Sequence, residues 1–301
     1  MRALVLGVRP VLVTGGGGQL ATALEAALID ARLPIRRVGR PVFDFERPET
    51  LDACVGEIQP GVIVNAAAYT AVDAAETDED AARRANAEGP ARLARLAQQA
   101  DVPIVHVSTD YVFDGDKGAP YVETDATNPT CVYGRTKLDG ERAVLEASAR
   151  AIILRTSWVY SPGGKNFVRT MLNAAQKTNT LRVVADQKGC PTAAADLADA
   201  IVSIVARIAD RGFEREWTGV YHACGTGWTT WHGLATATFE AAARHGRNPP
   251  EVTPIATADW PTPTRRPADS RLDCGRLAAV FGVTLPHWRD SLAQTVDRML
   301  A

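Results

Sequence analysis

"VLVTGGGGQLA", Val11 to Ala21, joins a β-type apolar run to a glycine turn and then to a segment of helical periodicity. Val11 to Thr14 reads as a buried strand, and "QLATALEAALIDA" after it reads as a helix. Between them Gly15, Gly18 and Ala21 fall in a G-x-x-G-x-x-[G/A] spacing. Glycine permits a tight turn and a close approach to a pyrophosphate, while a helix N-terminus offers free N–H groups and the positive end of its dipole. A glycine-rich turn occurs at the edge of many α/β sheets, so the spacing alone leaves that plainer reading open. The flanking strand and helix stand in the order a dinucleotide site requires, which favours the cofactor.

Outward from this junction the first half keeps alternating short apolar runs with helical segments. "IRRV" at Ile35, "VIVNAAA" at Val62, "IVHVST" at Ile104 and "AIILRTSWVY" at Ala151 read as strands, and "DEDAARRANAEGPARLARLAQQA" reads as a helix between two of them. That rhythm is the sign of stacked βαβ units, so the expected fold class is α/β, a Rossmann-type doubly wound parallel sheet with a smaller C-terminal substrate-binding lobe. The expected division gives residues 10–160 and 195–224 to the NAD(P)-binding domain and, interleaved with it, 161–194 and 225–301 to the lobe. The Pro- and Thr-rich stretch from Asn248 to Pro267 reads as irregular surface.

Composition narrows the function. Lys+Arg 33 against Asp+Glu 35 leaves no electrostatic footprint for nucleic acid or an anionic membrane, so a small-molecule partner is expected. Five scattered cysteines without a C-x-x-C argue against a disulfide framework or a zinc site and for a reduced, cytoplasmic protein. "MRALVLGVRP" is too short an apolar run to span a membrane and reads as a leader before the first strand. The five histidines form no H-E-x-x-H pattern, and no metal site is expected.

Many NAD sites carry an acid at the end of the second strand to bind the adenine ribose. Here "RRVGRP" offers Arg37 and Arg40 with no carboxylate before Asp44, which favours the 2′-phosphate of NADPH and leaves NADH open. A solvated arginine is the alternative at this point.

"YGRTK" sets Tyr133 and Lys137 four apart at a helix start, hence on one face. An ammonium beside a phenol would lower its pKa and ready it for proton transfer, although the pair alone reads as readily as a solvated helix surface. Ser108, Thr109 and Asp110 follow directly on an apolar strand, where open sheets bind ligands, and a hydroxyl there can orient a carbonyl beside the tyrosine.

The blocks "NAAAYTAVDAAE", "STDYVFDG", "YGRTKLDGE", "RTSWVY", "DQKGCPT", "TTWH" and "SRLD" resemble the dTDP-4-dehydrorhamnose reductase family of extended-type short-chain dehydrogenases/reductases, over nearly the whole chain. The resemblance implies NADPH-dependent reduction of the C4 ketone of dTDP-4-dehydrorhamnose to dTDP-L-rhamnose. By that resemblance Tyr133 is the proton donor, Lys137 tunes it and holds the nicotinamide ribose, and Thr109 orients the carbonyl. Gly15, Gly18, Gln19 and Leu20 would line the pyrophosphate turn, Arg40, Asp44 and Phe45 would flank the adenosine, and Asn65, Ala67, Ala68 and Tyr69 would run along the cofactor. Thr109, Asp110 and Trp158 are the implied substrate contacts, with Val72 and Asp73 as further candidates, and Arg265, Arg266 and Arg271 read as a clamp for a diphosphate, Arg271 within "SRLD" foremost. Arg265 and Arg266 read equally as solvated loop.

One departure bears on assembly. Some members of the family are magnesium-dependent dimers with glutamate ligands, and the two alignable positions hold Ala23 and Ala195 here, which cannot ligate a cation. The expectation is a monomer or weak homodimer without structural magnesium. A 4-ketoreductase for another dTDP-deoxysugar, such as dihydrostreptose, and a non-catalytic regulatory subunit remain alternatives. A 4,6-dehydratase would need a glutamate where Tyr111 stands.

Overall fold

The apolar runs assemble into one parallel sheet of six strands in the order Gly219–His222, Ala151–Thr156, Ile104–Thr109, Val62–Asn65, Val11–Thr14, Ile35–Val38. This is a computed structural model, and it describes residues 9–301, so the leader reading of the first eight residues lies outside the described residues. Val11 pairs with Ile35 on one side and with Val62 on the other. The chain therefore winds away from its first strand in both directions, and the crevice of such a sheet opens beyond the carboxyl ends of the strands at that point.

Alternation along each strand divides the core in two. Val11, Val13, Val62, Val64, Ile152 and Leu154 face the helices Gln19–Asp30 and Ala194–Arg211, which bring Leu24, Leu28, Leu197, Ile201 and Val205. Leu12, Ile63, Ile104 and Ile153 face the opposite way, onto Leu51, Leu93 and Val144 from the helices Pro48–Ile58, Gly89–Gln99 and Val132–Ala147. Strands buried on both faces explain the near-continuous Val/Ile/Leu runs of the sequence. Each such side chain contributes roughly 1.5–3 kcal/mol by leaving water.

A second, smaller core lies outside the sheet, where Tyr160 of the short strand Val159–Tyr160 clusters with Val168, Leu234, Trp288, Leu292 and Val296 of the helices Phe167–Ala174, Trp231–Ala243 and Trp288–Leu300. Leu277, Phe281 and Leu285 pack instead into the sheet's own core. Residues 277–285 thus lie against the sheet half.

Two local readings need correction. The Pro- and Thr-rich stretch holds a strand, Glu251–Ile255, parallel to Thr180–Val184. Pro254 is tolerated because a two-stranded pair has edges on both sides, where a missing N–H costs little. The long alanine-rich helix is broken in register: Glu79–Arg83 is α-helical, Arg84–Glu88 forms a π turn and Gly89–Gln99 resumes the α-helix. Pro90 has no N–H for the Asn86 carbonyl and its ring would crowd that oxygen, so the helix widens there.

Candidate active site

A cleft of about 1000 Å³ runs along the carboxyl ends of the strands, from the glycine turn to Trp158. That volume has room for a dinucleotide and part of a second ligand. Gly15, Gly18, Gln19, Leu20, Arg40, Asp44, Phe45, Ala67, Ala68, Tyr69, Val72, Thr109, Asp110, Tyr133, Lys137 and Trp158 all line it.

At the cofactor end the backbone is shaped for phosphate. Gly15 and Gly16 have φ of 121° and 50°, and a Cβ on Gly15 would meet the Ala66 carbonyl oxygen at 3.1 Å. Gly18 then starts the helix Gln19–Asp30 with no side-chain cap, leaving its first N–H groups for a ligand. This cradle fits a pyrophosphate. Gln19 does more than line it: its Oε1 accepts from Ser161 Oγ at 2.8 Å and Asn166 Nδ2 at 2.9 Å, a latch from the glycine turn to the loop on the far side. Arg37 is turned away from the ribose position, donating to the Gly16 carbonyl and pairing with Glu25 at 3.0 Å. Arg40 is the arginine of that pair that faces the cleft.

Asn65 needs correction. It is fully buried beneath the cleft, where Oδ1 accepts from Thr14 Oγ1 at 2.6 Å and Nδ2 meets His106 Nδ1 at 2.9 Å. Its amide fastens three adjacent strand ends, and the backbone beyond it, Ala66 to Tyr69, forms the wall.

At the chemical end Tyr133 and Lys137 stand one turn apart on Val132–Ala147, whose start is capped by Cys131 Sγ accepting from the Gly134 N–H at 3.3 Å. Lys137 Nζ donates to the Val107 carbonyl at 2.7 Å. Burial pulls its ammonium down to about 8, with the Glu141 carboxylate opposing. The Tyr133 phenol is pushed up well above the ordinary tyrosine value by burial, with a hydrogen bond to Thr109 pulling the other way and the charge of Asp110 adding to the rise. The expectation of an acidified phenol is therefore corrected for the protein by itself, because the loss of water around the buried phenol dominates and Lys137 is not among the groups that lower it. A protonated phenol is the form that can donate.

Thr109 Oγ1 donates to Asp110 Oδ1 at 3.0 Å. Burial raises the Asp110 carboxyl to about 6 against the opposing pull of the nearby Ser270 and Thr109 hydroxyls, and its Oδ2 has no partner among the described residues. Tyr111, in the dehydratase glutamate position, lies edge-on to Tyr133 with centroids 5.5 Å apart.

Trp158 has φ 47° and stacks on Trp231, centroids 3.5 Å apart and rings within 7° of parallel. Two expected substrate contacts lie off the cleft lining. Asp73 turns to Arg266 at 3.1 Å, and Arg271 forms a two-pronged pair with Asp269 at 2.7 and 2.6 Å. Each carboxylate captures the nearest guanidinium, which a reading of residue types by spacing cannot see. Arg265 is exposed and 3.7 Å from Asp116.

Three contributors escaped the sequence reading. Lys165 lines the cleft beside the latch. Asn86, in the π turn, accepts the Tyr69 N–H at 2.8 Å and donates to the Tyr69 carbonyl and to Thr136 Oγ1, both at 3.1 Å, clamping the cofactor wall to the Tyr133 helix. Glu141 receives Ser108 Oγ at 2.5 Å and the buried Arg155 at 2.7 Å behind Lys137. Glu141 lies in the quoted "YGRTKLDGE" block at i+4 from Lys137, a spacing that signals a shared face. Among the described residues no group of three His, Cys, Asp or Glu is placed to hold a metal, and no helix is long and apolar enough to cross a membrane.

Comparison with known proteins agrees with this geometry. The family model described as RmlD substrate binding domain matches residues 9–301. A dTDP-4-dehydrorhamnose reductase of Sinorhizobium fredii is 43% identical over 290 residues, 96% of this chain and 97% of that one. A probable dTDP-4,6-dihydroxy-2-methyloxan-3-one 4-ketoreductase of Streptomyces antibioticus is 40% identical over 291 residues, 96% of this chain and 95% of that one. The crystal structure of the Bacillus anthracis dTDP-4-dehydrorhamnose reductase in complex with NADP superposes with a TM-score of 0.88 at 32% identity, covering 95% and 98% of the two chains. With the strand order, the glycine cradle and the Tyr133–Lys137 helix, these matches establish that the chain belongs to the dTDP-4-dehydrorhamnose reductase family.

Proposed function

We propose that the chain reduces the C4 ketone of dTDP-4-dehydrorhamnose with NADPH, giving dTDP-L-rhamnose. The observation that carries this reading is the convergence of Tyr133, Thr109 and Lys137 on one cleft with the glycine cradle. NADPH, when bound, supplies the hydride. Gly15, Gly18 and the start of the following helix receive its pyrophosphate, and Arg40 and Lys165 bring positive charge to the same cleft. Ala67, Ala68 and Tyr69 form the wall along it. Thr109 orients the ketone, and Tyr133 hands its phenolic proton to the oxygen as negative charge builds there. Lys137 stabilises the resulting phenolate; its charge is the compensation that a buried phenolate needs.

The expected test is direct. Incubation with NADPH and dTDP-4-dehydrorhamnose yields dTDP-L-rhamnose by NMR, and Tyr133→Phe abolishes turnover while leaving NADPH affinity within about twofold. Turnover retained by the variant refutes the assignment. The same variant separates an enzyme from a regulatory subunit.

The relative from Streptomyces antibioticus favours a second reading, a 4-ketoreductase for another dTDP-deoxysugar. A panel of dTDP-4-keto sugars distinguishes the two by product. We further read the protein as a cytoplasmic monomer or weak homodimer without structural magnesium, because Ala23 and Ala195 offer no ligand. Activity lost to a chelator and restored by magnesium refutes that.

A further inference from the structure

Positive charge is unevenly spread around the cleft. Its lining cations are Arg40, Lys137 and Lys165, whereas the wall built from Val72, Asp110 and Trp158 brings none, and Arg266 nearby is neutralised by Asp73. A sugar nucleotide reaching its ketone to Tyr133 carries a diphosphate that this wall does not match.

The missing partners stand just beyond it. Trp228 is 49% exposed, and two cations from other segments rest on its ring: the Arg271 guanidinium at 4.9 Å and Lys188 Nζ at 5.7 Å from the centroid. Arg271 is fixed there by Asp269, while Lys188 has no carboxylate partner among the described residues. The three segments are held in register: Thr230 pairs with Lys188, the Lys188 N–H donates to the Ala268 carbonyl at 2.8 Å and the Ser270 N–H to the Lys188 carbonyl at 2.9 Å.

Two neighbours connect this platform to the cleft. Gly189, next to Lys188, packs so closely on Trp158 that a Cβ would come within 2.3 Å of the ring. Ser270, next to Arg271, stands close enough to Asp110 for its hydroxyl to hold that carboxyl down. An indole held flat by cations is a surface for stacking a base, and an uncompensated ammonium at its rim is a site for phosphate.

We propose that Lys188, Trp228 and Arg271 hold the nucleoside diphosphate half of the substrate, Lys188 on a phosphate, Trp228 under the base and Arg271 bracing the indole. The inference rests on the reductase reading and adds what grips the unreactive end. Contacts there act alike on ground and transition states, so they govern KM more than kcat.

The experiment compares wild type, Lys188→Gln, Trp228→Ala and Trp228→Phe in steady-state reduction of dTDP-4-dehydrorhamnose, and titrates each with dTDP by calorimetry. The first two variants are expected to raise KM and the dTDP Kd about tenfold, with kcat and NADPH affinity within about twofold. Trp228→Phe keeps an aromatic face and stays within about threefold, which also guards against misfolding as the cause. Unchanged KM and dTDP affinity in both Lys188→Gln and Trp228→Ala, with wild type active, overturns the proposal alone. A wild type that binds dTDP through these residues but does not reduce the ketone refutes the reductase reading and leaves the platform standing; one that does neither removes both.

Discussion

The Glu141 carboxylate holds the Arg155 guanidinium at 2.7 Å where both side chains are under 5% exposed, one turn beyond Lys137 on the same helix. Removing one partner of a buried pair strands the other charge, at a cost of about 3–5 kcal/mol. Glu141→Gln is expected to lower the unfolding free energy by that amount, read as a lower urea midpoint with an unchanged m-value. A midpoint equal to wild type would mean the pair contributes nothing.

Lys137 titrates near 8 because it is buried, so its ammonium is charged below that pH and neutral above it. In the proposed reaction turnover needs the charge, hence kcat/KM for NADPH should fall by about tenfold per pH unit above about pH 8. Glu141 holds this value up, and in Glu141→Gln the decline should begin at lower pH. A profile flat from pH 7 to beyond 9 contradicts the role given to Lys137.

Asp110 is an acid whose folded value, about 6, lies above its ordinary 3.8. At pH 7 it is ionised folded and unfolded, so the cost of burying its charge is fully present, and that cost disappears as pH falls through 6 towards 3.8. Asp110→Asn should therefore stabilise the protein at pH 7 by about 1–3 kcal/mol, a gain that shrinks in acid, while catalysis weakens. Thermal unfolding at pH 7 and pH 4.5 measures both; a destabilised variant at pH 7 refutes the account.

Trp158 can occupy its place because residue 189 is glycine, whose added Cβ would overlap the indole. Gly189→Ala should push the ring off its stack with Trp231 and raise the sugar-nucleotide KM about tenfold without altering NADPH affinity. An unaltered KM would show that the wall tolerates displacement.

Much of this was legible in the sequence because it depends on local periodicity. The strand runs, the glycine spacing and the helical pairing of Tyr133 with Lys137 need only the geometry of single elements. What escaped depends on which distant groups meet. Asp73 and Arg271 read as ligand contacts until Arg266 and Asp269 are seen to hold them, and Arg37 reads as a phosphate partner until Glu25 claims it. Asn65 carries a family pattern, yet its side chain serves the strands beneath the cleft. The Tyr133 phenol reads as acidified for a related reason: residue spacing shows the neighbouring cation but not the loss of water around the ring.

The widened turn at Arg84–Glu88 closes each hydrogen bond one residue later than an α-helix does, so the segment spends an extra residue on the same rise. Shortening it by a single position would swing Asn86 by about 100° around the axis, off Tyr69 and Thr136. The number of residues in this segment, as much as their identity, thus keeps the cleft wall at Tyr69 and the Tyr133 helix in step, and single-residue deletions should be tolerated far less here than substitutions on its solvent side.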